Sequence, residues 1–269
     1  MKKMAIEVFN RHEKKYQLDY DKFYKLKNDI SDYMELDKNN KRGKSYVIAN
    51  LYYDTEDSYL IRHSLQKPTY KEKLRLRTYG VPDENKKVFL EIKKKVNGTV
   101  NKRRSSIVLN DAYAFLETGD MPELAPYMNG QVLKEVDYIL EKKILKPKVY
   151  LAYDRTAYFS IEDQDLRISF DSDIRYRENH LRLEEGDFGK LILPKESYLM
   201  EIKTSKAMPT WICNLLSKHK IYSSSFSKYG YVYQNCINQI NEPRKTFYFP
   251  TSPVYKEVRT VAANFQALS

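Results

Sequence analysis

The residues with the strongest chemical signature lie in Lys71–Arg77, KEKLRLR. At a period of two, Lys71, Lys73, Arg75 and Arg77 point to one side, and Glu72, Leu74 and Leu76 to the other. A half-buried strand usually sets an apolar face against a solvated face of mixed polarity. Here one face is cationic at every position. Val88–Val96 repeats the design, with Leu90 and Ile92 against Glu91, Lys93 and Lys95. Asn101–Leu109 carries Lys102 and Arg104 in alternation, and Tyr150–Phe159 carries Arg155. Asp165–Asp171 sets Leu166, Ile168 and Phe170 against Arg167, Ser169 and Asp171, and Ser197–Ser205 sets Met200 and Ile202 against Glu201 and Lys203.

One such strand is an ordinary solvated charge row, but several in one chain need a shared reason. A barrel with a polar lumen supplies it, because alternation sends one set of side chains inward. So many inward cations require anions, since repulsion and desolvation would otherwise be costly. Phosphate chains or triphosphates are the natural filling. The fold expected is therefore α+β, an antiparallel β-barrel with a cationic lumen wrapped by helices.

Composition agrees. The 269 residues include 47 Lys and Arg against 36 Asp and Glu, a net charge of +11, which predicts an acidic partner. A nucleotide fold built on many glycine turns is excluded, because there are only 8 glycines. Cys213 and Cys236 form no CxxC motif, so a reducing compartment is expected. No stretch has transmembrane length and Met1–Asn10 lacks an apolar signal core, so a soluble, cytoplasmic protein is expected.

The elements that would position these residues follow from periodicity. Ala5–Leu18 reads as a first strand, with Glu13 and Lys15 on its polar face. Asp21–Glu35 reads as an amphipathic helix capped by Asp19 or Asp21. Tyr46–Asp54 is an apolar strand, and Asp57–His63 a turn or short helix. Asn97-Gly98 predicts a hairpin that joins Glu91 and Lys93 to Lys102 and Arg104. Asp111–Glu117 and Gln131–Ile144 read as helices. Lys148–Ile161 pairs with Leu166–Asp171 across a turn, and Asp173–Leu183 could extend that strand. Thr210–Lys218 is a helix opened by Pro209. Ser223–Lys228 is a polar loop, and Tyr229–Ile240 a closing helix. Residues 1–241 form the expected domain, and 242–269 a proline-punctuated tail. Gly43-Lys44-Ser45 is not a P-loop, because Lys38 stands where the first glycine must be.

The set EKKY (Glu13–Tyr16), NLYYDT (Asn50–Thr55), LRLRTYG (Leu74–Gly80), FLEIKKK (Phe89–Lys95), NKRRS, YDRTAY (Tyr153–Tyr158), LRISFD, MEIKTS (Met200–Ser205) and SFSKY (Ser225–Tyr229) resembles the VTC domain. This is the polyphosphate polymerase domain of the vacuolar transporter chaperone complex, in the wider group of triphosphate tunnel metalloenzymes. The resemblance spans about Ala5–Ile240. It implies a tunnel barrel that binds ATP and a divalent metal, Mn²⁺ or Mg²⁺, and moves the terminal phosphoryl of ATP onto polyphosphate or pyrophosphate.

Carried over, Lys15, Arg75, Arg77, Lys93, Lys102, Arg155 and Arg167 match phosphate-binding positions. Glu201 matches the metal-binding glutamate, Lys203 the lysine beside it, and Ser227 and Lys228 a Ser-Lys near the tunnel mouth. Lys203, Arg75, Arg77 and Lys228 are the residues expected to act on the transferring group. The fungal pattern has a lysine where this chain has Ser225. Only Glu13 precedes Lys15, where the triphosphatases of the group carry ExExK, which favours the polymerase branch. The alternatives are a tunnel triphosphatase and a non-catalytic polyphosphate-binding module. Nucleic-acid binding is disfavoured, because a duplex needs an outer basic surface. Glu91 is a candidate second carboxylate or a partner of Lys93 or Arg104. Asp54 and Asp171 are expected to orient arginines or turns, and His12, His63, His180 and His219 show no metal spacing. Coupling to export would need a separate membrane protein.

Overall fold

The computed structural model describes residues 12–40 and 43–237. The tail from 242 onward, the start of the first strand and the end of the closing helix lie outside the described residues. Eleven strands share one sheet, in the order β11-β1-β10-β8-β7-β3-β4-β5-β6, with β2 and β9 pairing on β7 and β8. All the recorded pairings are antiparallel.

The site-bearing strands are β1 (His12–Leu18), β3 (Tyr46–Asp54), β4 (Tyr70–Tyr79), β5 (Lys87–Val96), β6 (Thr99–Val108), β7 (Lys146–Ser160), β8 (Arg167–Arg177) and β10 (Tyr198–Thr204). β2 (Met34–Leu36), β9 (Lys190–Leu191) and β11 (Ser223–Ser224) are short. The helices are α1 (Tyr20–Asp29), α2 (Tyr59–Leu65), α3 (Leu109–Thr118), α4 (Gly130–Lys142), α5 (Thr210–Lys218) and α6 (Lys228–Val232), which runs into a π-turn at Tyr233–Ile237.

The alternation does what the sequence demands. One face of β3–β6 buries Leu51, Leu74, Leu76, Leu90, Ile92 and Ile107 against Phe115 of α3 and Leu133 and Val136 of α4. Burial of each such side chain contributes about 1.5–3 kcal/mol. The matching face of β1, β8 and β10 buries Tyr16, Ile168, Phe170, Met200 and Ile202 against Leu26 of α1 and Ile212 and Leu216 of α5. The opposite, concave face carries the cations. Part of it is filled by α2 and α6, where Ile61, Tyr229 and Val232 pack on Ile48, Tyr52, Leu151 and Tyr153.

The hairpin at Asn97-Gly98 forms as expected. Both residues take positive φ, 47° and 85°, as a type I′ turn requires. The register then sets Glu91 opposite Arg104 and Lys93 opposite Lys102.

Two expectations are corrected. The helix predicted to Glu35 ends at Asp29, and the chain turns so that Met34–Leu36 pairs with β7. Ile30 and Met34 are both buried, and the i,i+4 spacing that suggested one helix is satisfied instead by a helix end and a strand on the same core. Ser223–Ser224, expected as loop, adds an edge strand beside Lys15 and Tyr16. The α+β, antiparallel fold is the one expected, and backbone pairing leaves its wall open between β6 and β11, which end the path. Two side chains hold the segment after β11 against the sheet. Lys73 of β4 donates to Ser227 Oγ at 3.3 Å, and Lys15 of β1 donates to the Phe226 carbonyl at 2.9 Å.

The extension of β8 ends at Arg177, which donates to the carbonyls of His180, Arg182, Gly186 and Phe188 and so gathers the loop after it.

Candidate phosphate-binding site

The site has two carboxylate centres, each enclosed by cations from several strands. The first is Glu91 on β5, with its side chain 1% exposed. Register places it directly opposite Arg75. Arg75 donates from Nε and Nη2 to Oε2 at 2.9 and 2.7 Å, Arg77 Nε stands 3.7 Å away, and Lys102 Nζ lies 2.9 Å from Oε1. Burial pushes the Glu91 carboxyl up, but the charges of Arg75, Arg77 and Lys102 outweigh it and hold it far below the carboxylate range. The partners expected from sequence were Lys93 or Arg104. Arg104 turns instead over the Phe89 ring, with its guanidinium carbon 4.6 Å from the centroid.

The second centre joins Glu201 on β10 to Asp171 on β8. Arg155 donates from Nε and Nη2 to the two Asp171 oxygens at 2.6 and 2.8 Å, and its Nη2 reaches Glu201 at 3.7 Å. Lys228, at the first turn of α6, donates to Asp171 Oδ2 at 2.6 Å and stands 3.8 Å from Glu201 Oε1. Lys203 lies 2.9 Å from Glu201 and 3.5 Å from Glu13, and Lys15 lies 3.6 and 3.3 Å from the same pair. Burial opposes ionisation of Glu201, yet Lys203, Lys228, Lys15 and Arg155 keep its carboxyl well below the usual range. Asp171 is lowered too, because Arg155 and Lys228 overcome its burial.

Tyrosine and asparagine hydroxyl and amide groups fix the arginines. Arg75 Nη1 donates to the Tyr52 hydroxyl at 2.8 Å and Arg77 Nε to Asn50 Oδ1 at 2.9 Å. Burial raises Tyr52, but Arg75, Lys73 and Arg77 bring it down to about 8. Asp54 organises the helices that fill the concave side. It accepts from Leu60 and Ile61 N–H at 2.8 and 3.0 Å, and from the Tyr229 hydroxyl at 3.0 Å.

All eleven residues predicted for the site occur among the described residues. Lys15, Arg75, Arg77, Lys102, Arg155, Glu201, Lys203 and Lys228 converge on the two centres. Lys93 faces Lys73 and Lys102 across its strand. Ser227 caps α6, accepting from Gly230 N–H at 3.2 Å as well as from Lys73. Arg167, directly opposite Lys203 in register, donates instead to Asp37 at 3.2 Å and the Tyr46 hydroxyl at 3.3 Å. Sequence reasoning left three residues out of the site. Lys73 was visible in the cationic strand, but its approach to Ser227 was not. Glu13 was noted only as an incomplete motif. Asp171 was given an orienting role without its link to Lys228.

One region sets cations directly opposite cations. Lys71 is directly opposite Lys95, and Lys73 opposite Lys93. Burial lowers all of Lys71, Lys73 and Lys93, and neighbouring lysines add to it, against the pull of Tyr52 on Lys73 and of Glu13 and Glu201 on Lys93; Lys73 falls to about 8. Lys102 drops to about 7 through burial and the nearby Arg77 and Arg75, against the pull of Glu91.

Together these features define a concave antiparallel fold whose cations enclose buried carboxylates at one end of a lysine-rich ladder. The chain belongs to the VTC domain family, whose model matches residues 10–236. Vacuolar transporter chaperone complex subunit 4 of Schizosaccharomyces pombe is 27% identical over 225 residues, 68% of this chain and 31% of that protein. The chain thus spans about a third of that relative's length. Among solved structures, a putative adenylate cyclase from Bacillus halodurans superposes with a TM-score of 0.49 at 15% identity, covering 82% of this chain and 94% of that one. The putative adenylyl cyclase HpAC1 from Hippeastrum, described with a dominant triphosphatase activity, gives 0.47 at 17% identity over 81% of this chain and 92% of that one. No helix among the described residues is long and apolar enough to cross a membrane.

Proposed function

We propose that this chain is a polyphosphate polymerase that transfers the terminal phosphoryl group of ATP to a growing inorganic polyphosphate, with Mg²⁺ or Mn²⁺ as cofactor. The observation that carries the reading is the run of cations on β4 and β5. Arg75 and Arg77 meet carboxylates, whereas Lys71, Lys73, Lys93 and Lys95 face one another. Like charges directly opposite are destabilising. A threaded polyanion relieves that repulsion along its whole length. The placement of the cations on the concave face favours a chain of phosphates over a duplex, whose charges lie on a broad outer surface.

Phosphoryl transfer asks for charge neutralisation and in-line positioning more than for covalent help. Arg75, Arg77 and Arg155 present planar forks to phosphate oxygens, and Lys203 and Lys228 present point charges. In the reaction the bond from the terminal phosphorus to the ADP oxygen breaks. A bond to a terminal oxygen of the acceptor chain forms, and ADP leaves. Among the described residues no cluster of three or more His, Cys, Asp or Glu side chains could hold a metal. Glu201 and Glu13, both within reach of Lys15 and Lys203, are hard oxygen donors, and with phosphate oxygens and water they suit Mg²⁺ or Mn²⁺. Such an ion would neutralise charge on the phosphate oxygens.

A second reading, a tunnel triphosphatase, is favoured by one observation: Glu13 stands beside Glu201, so the site has two candidate metal carboxylates rather than one. Incubation with ATP and Mn²⁺ or Mg²⁺, followed for long chains on a gel and for free phosphate, decides between them. Long chains that vanish in Glu201→Gln and Arg75→Ala support the polymerase. Free phosphate without chains supports the triphosphatase. Polyphosphate binding with neither product supports a binding module.

A further inference from the structure

We propose that the nucleoside of the donor docks on an aromatic shelf formed by Tyr46, Tyr79 and Phe89, flanked by Arg104. This rests on the reading of the chain as an ATP-consuming enzyme, and it adds where the base sits and which way the donor points.

The shelf lies at one edge of the cationic face. β3 begins at Tyr46, β4 ends at Tyr79 and β5 begins at Lys87. In antiparallel strands these ends fall on the same edge. By alternation Tyr46 shares its face with Asn50 and Tyr52, Tyr79 with Arg75 and Arg77, and Phe89 with Glu91. The ring centroids of Tyr46 and Tyr79 are 6.0 Å apart, and those of Tyr79 and Phe89 are also 6.0 Å apart, edge to face. Arg104 stacks on Phe89, and Arg167 holds the Tyr46 hydroxyl from the other side.

Tyrosines deeper on this face are committed elsewhere. Tyr52 and Tyr153 are 7% and 3% exposed, and their hydroxyls accept from Arg75 and Arg77. Tyr79 is 43% exposed. A flat π-system stacks on such a surface whatever its base identity, and a neighbouring guanidinium adds cation–π attraction.

The occupant follows from what adjoins the shelf. Arg77 is directly opposite Phe89 and two residues before Tyr79, and Arg155 is directly opposite Tyr46. Two residues of strand span about 7 Å, the reach of a ribose between a base and its first phosphate. A nucleoside triphosphate with its base on the shelf therefore directs its phosphates to Arg77 and Arg155 and onward toward Glu201. The far end of β4 and β5 presents Lys71, Lys73, Lys93 and Lys95 on the same face. The two ends thus differ in chemistry: one suits a base, the other an inorganic chain. Donor and product approach the reacting phosphates from opposite ends.

The test compares ATP with inorganic triphosphate, which has the phosphates and no base. Binding of each to the full chain is measured by calorimetry for the unaltered protein, Tyr79→Ala, Phe89→Leu, the double variant and Tyr79→Phe, with thermal melts confirming that each folds. The expected result is a loss of about tenfold or more in ATP affinity for the double variant, triphosphate affinity within about twofold of the unaltered chain, and near-complete retention of ATP affinity in Tyr79→Phe. Equal losses for both ligands, or no loss for ATP, overturn the shelf. If the unaltered chain shows this discrimination yet makes no polyphosphate, the polymerase reading falls and the shelf stands.

Discussion

Lys228 Nζ lies 2.6 Å from Asp171 Oδ2, joining the first turn of α6 to β8 through a carboxylate that Arg155 also holds. The side chain of Asp171 is fully buried and those of Arg155 and Lys228 are 8% and 11% exposed. The pair raises Lys228 above the ordinary lysine range, against the effect of its burial. Asp171→Asn leaves two buried cations sharing only Glu201. Removing one partner of such a group costs about 3–5 kcal/mol. Urea denaturation of Asp171→Asn is expected to show that loss, with the proposed polymerase activity abolished; Asp171→Glu is expected to recover part of the stability.

Glu91 gives the complementary case. Arg75→Met removes its closest partner and leaves Lys102 and the more distant Arg77. The expected cost is about 3 kcal/mol. Arg75→Lys restores less than half, because an ammonium cannot place two donors on one carboxylate and a third on Tyr52. Denaturation midpoints of the two variants check this.

The buried carboxylates also set an acid limit. Glu91, Glu201 and Asp171 are all lowered in the folded chain, because surrounding cations outweigh burial. A carboxyl with a depressed folded value contributes stability that is present above its unfolded value, near 4–4.5, and lost as pH falls toward the folded value. Stability is therefore expected to be flat down to about pH 5 and to decline below it. Thermal melts between pH 7 and 3 measure this.

Binding responds at the other end of the scale. Lys102 at about 7 and Lys73 at about 8 lose protons as pH rises. Polyanions prefer their charged forms, so affinity falls between pH 6 and 9 and ligand binding at pH 8 takes up protons. Calorimetry in buffers of different ionisation enthalpy reads that uptake directly. Lys102→Met is expected to reduce it and to flatten the lower part of the profile.

Tyr229 joins α6 to Asp54, which also caps α2. Tyr229→Phe removes one hydrogen bond to a charged acceptor, about 1.5–3 kcal/mol. The contact with Tyr52, 4.6 Å between centroids, remains available to the phenyl ring. Unfolding is expected to reveal the loss, with Asp54→Asn more severe because both helices lose their anchor.

How much of this was legible varies with the physics of each signal. β3 and α5 have the bounds that the sequence assigned, because each carries a dense apolar run that the fold buries, β3 on both faces from Ile48 to Asp54 and α5 at Ile212 and Leu216. The rows Arg75–Arg77 and Glu201–Lys203 were readable for the same reason. What alternation does not encode is register between distant strands. It could not show that Glu91 meets Arg75 rather than Lys93, or that Lys73 reaches Ser227, 154 residues away. Two- and three-residue strands such as β2 and β11 have no period to read. They form because a neighbouring edge offers hydrogen bonds.

The ends of the sheet path carry a last consequence. Since β6 and β11 do not pair, widening the space between β1 and β5 breaks no ladder hydrogen bonds between them. It alters the Lys73–Ser227 hydrogen bond and the field that Glu13 and Lys15 exert on Lys93. Dissolved ions weaken such fields over about 10 Å at 0.1 M. The ion pairs of this wall, unlike its ladders, are therefore expected to weaken as salt rises.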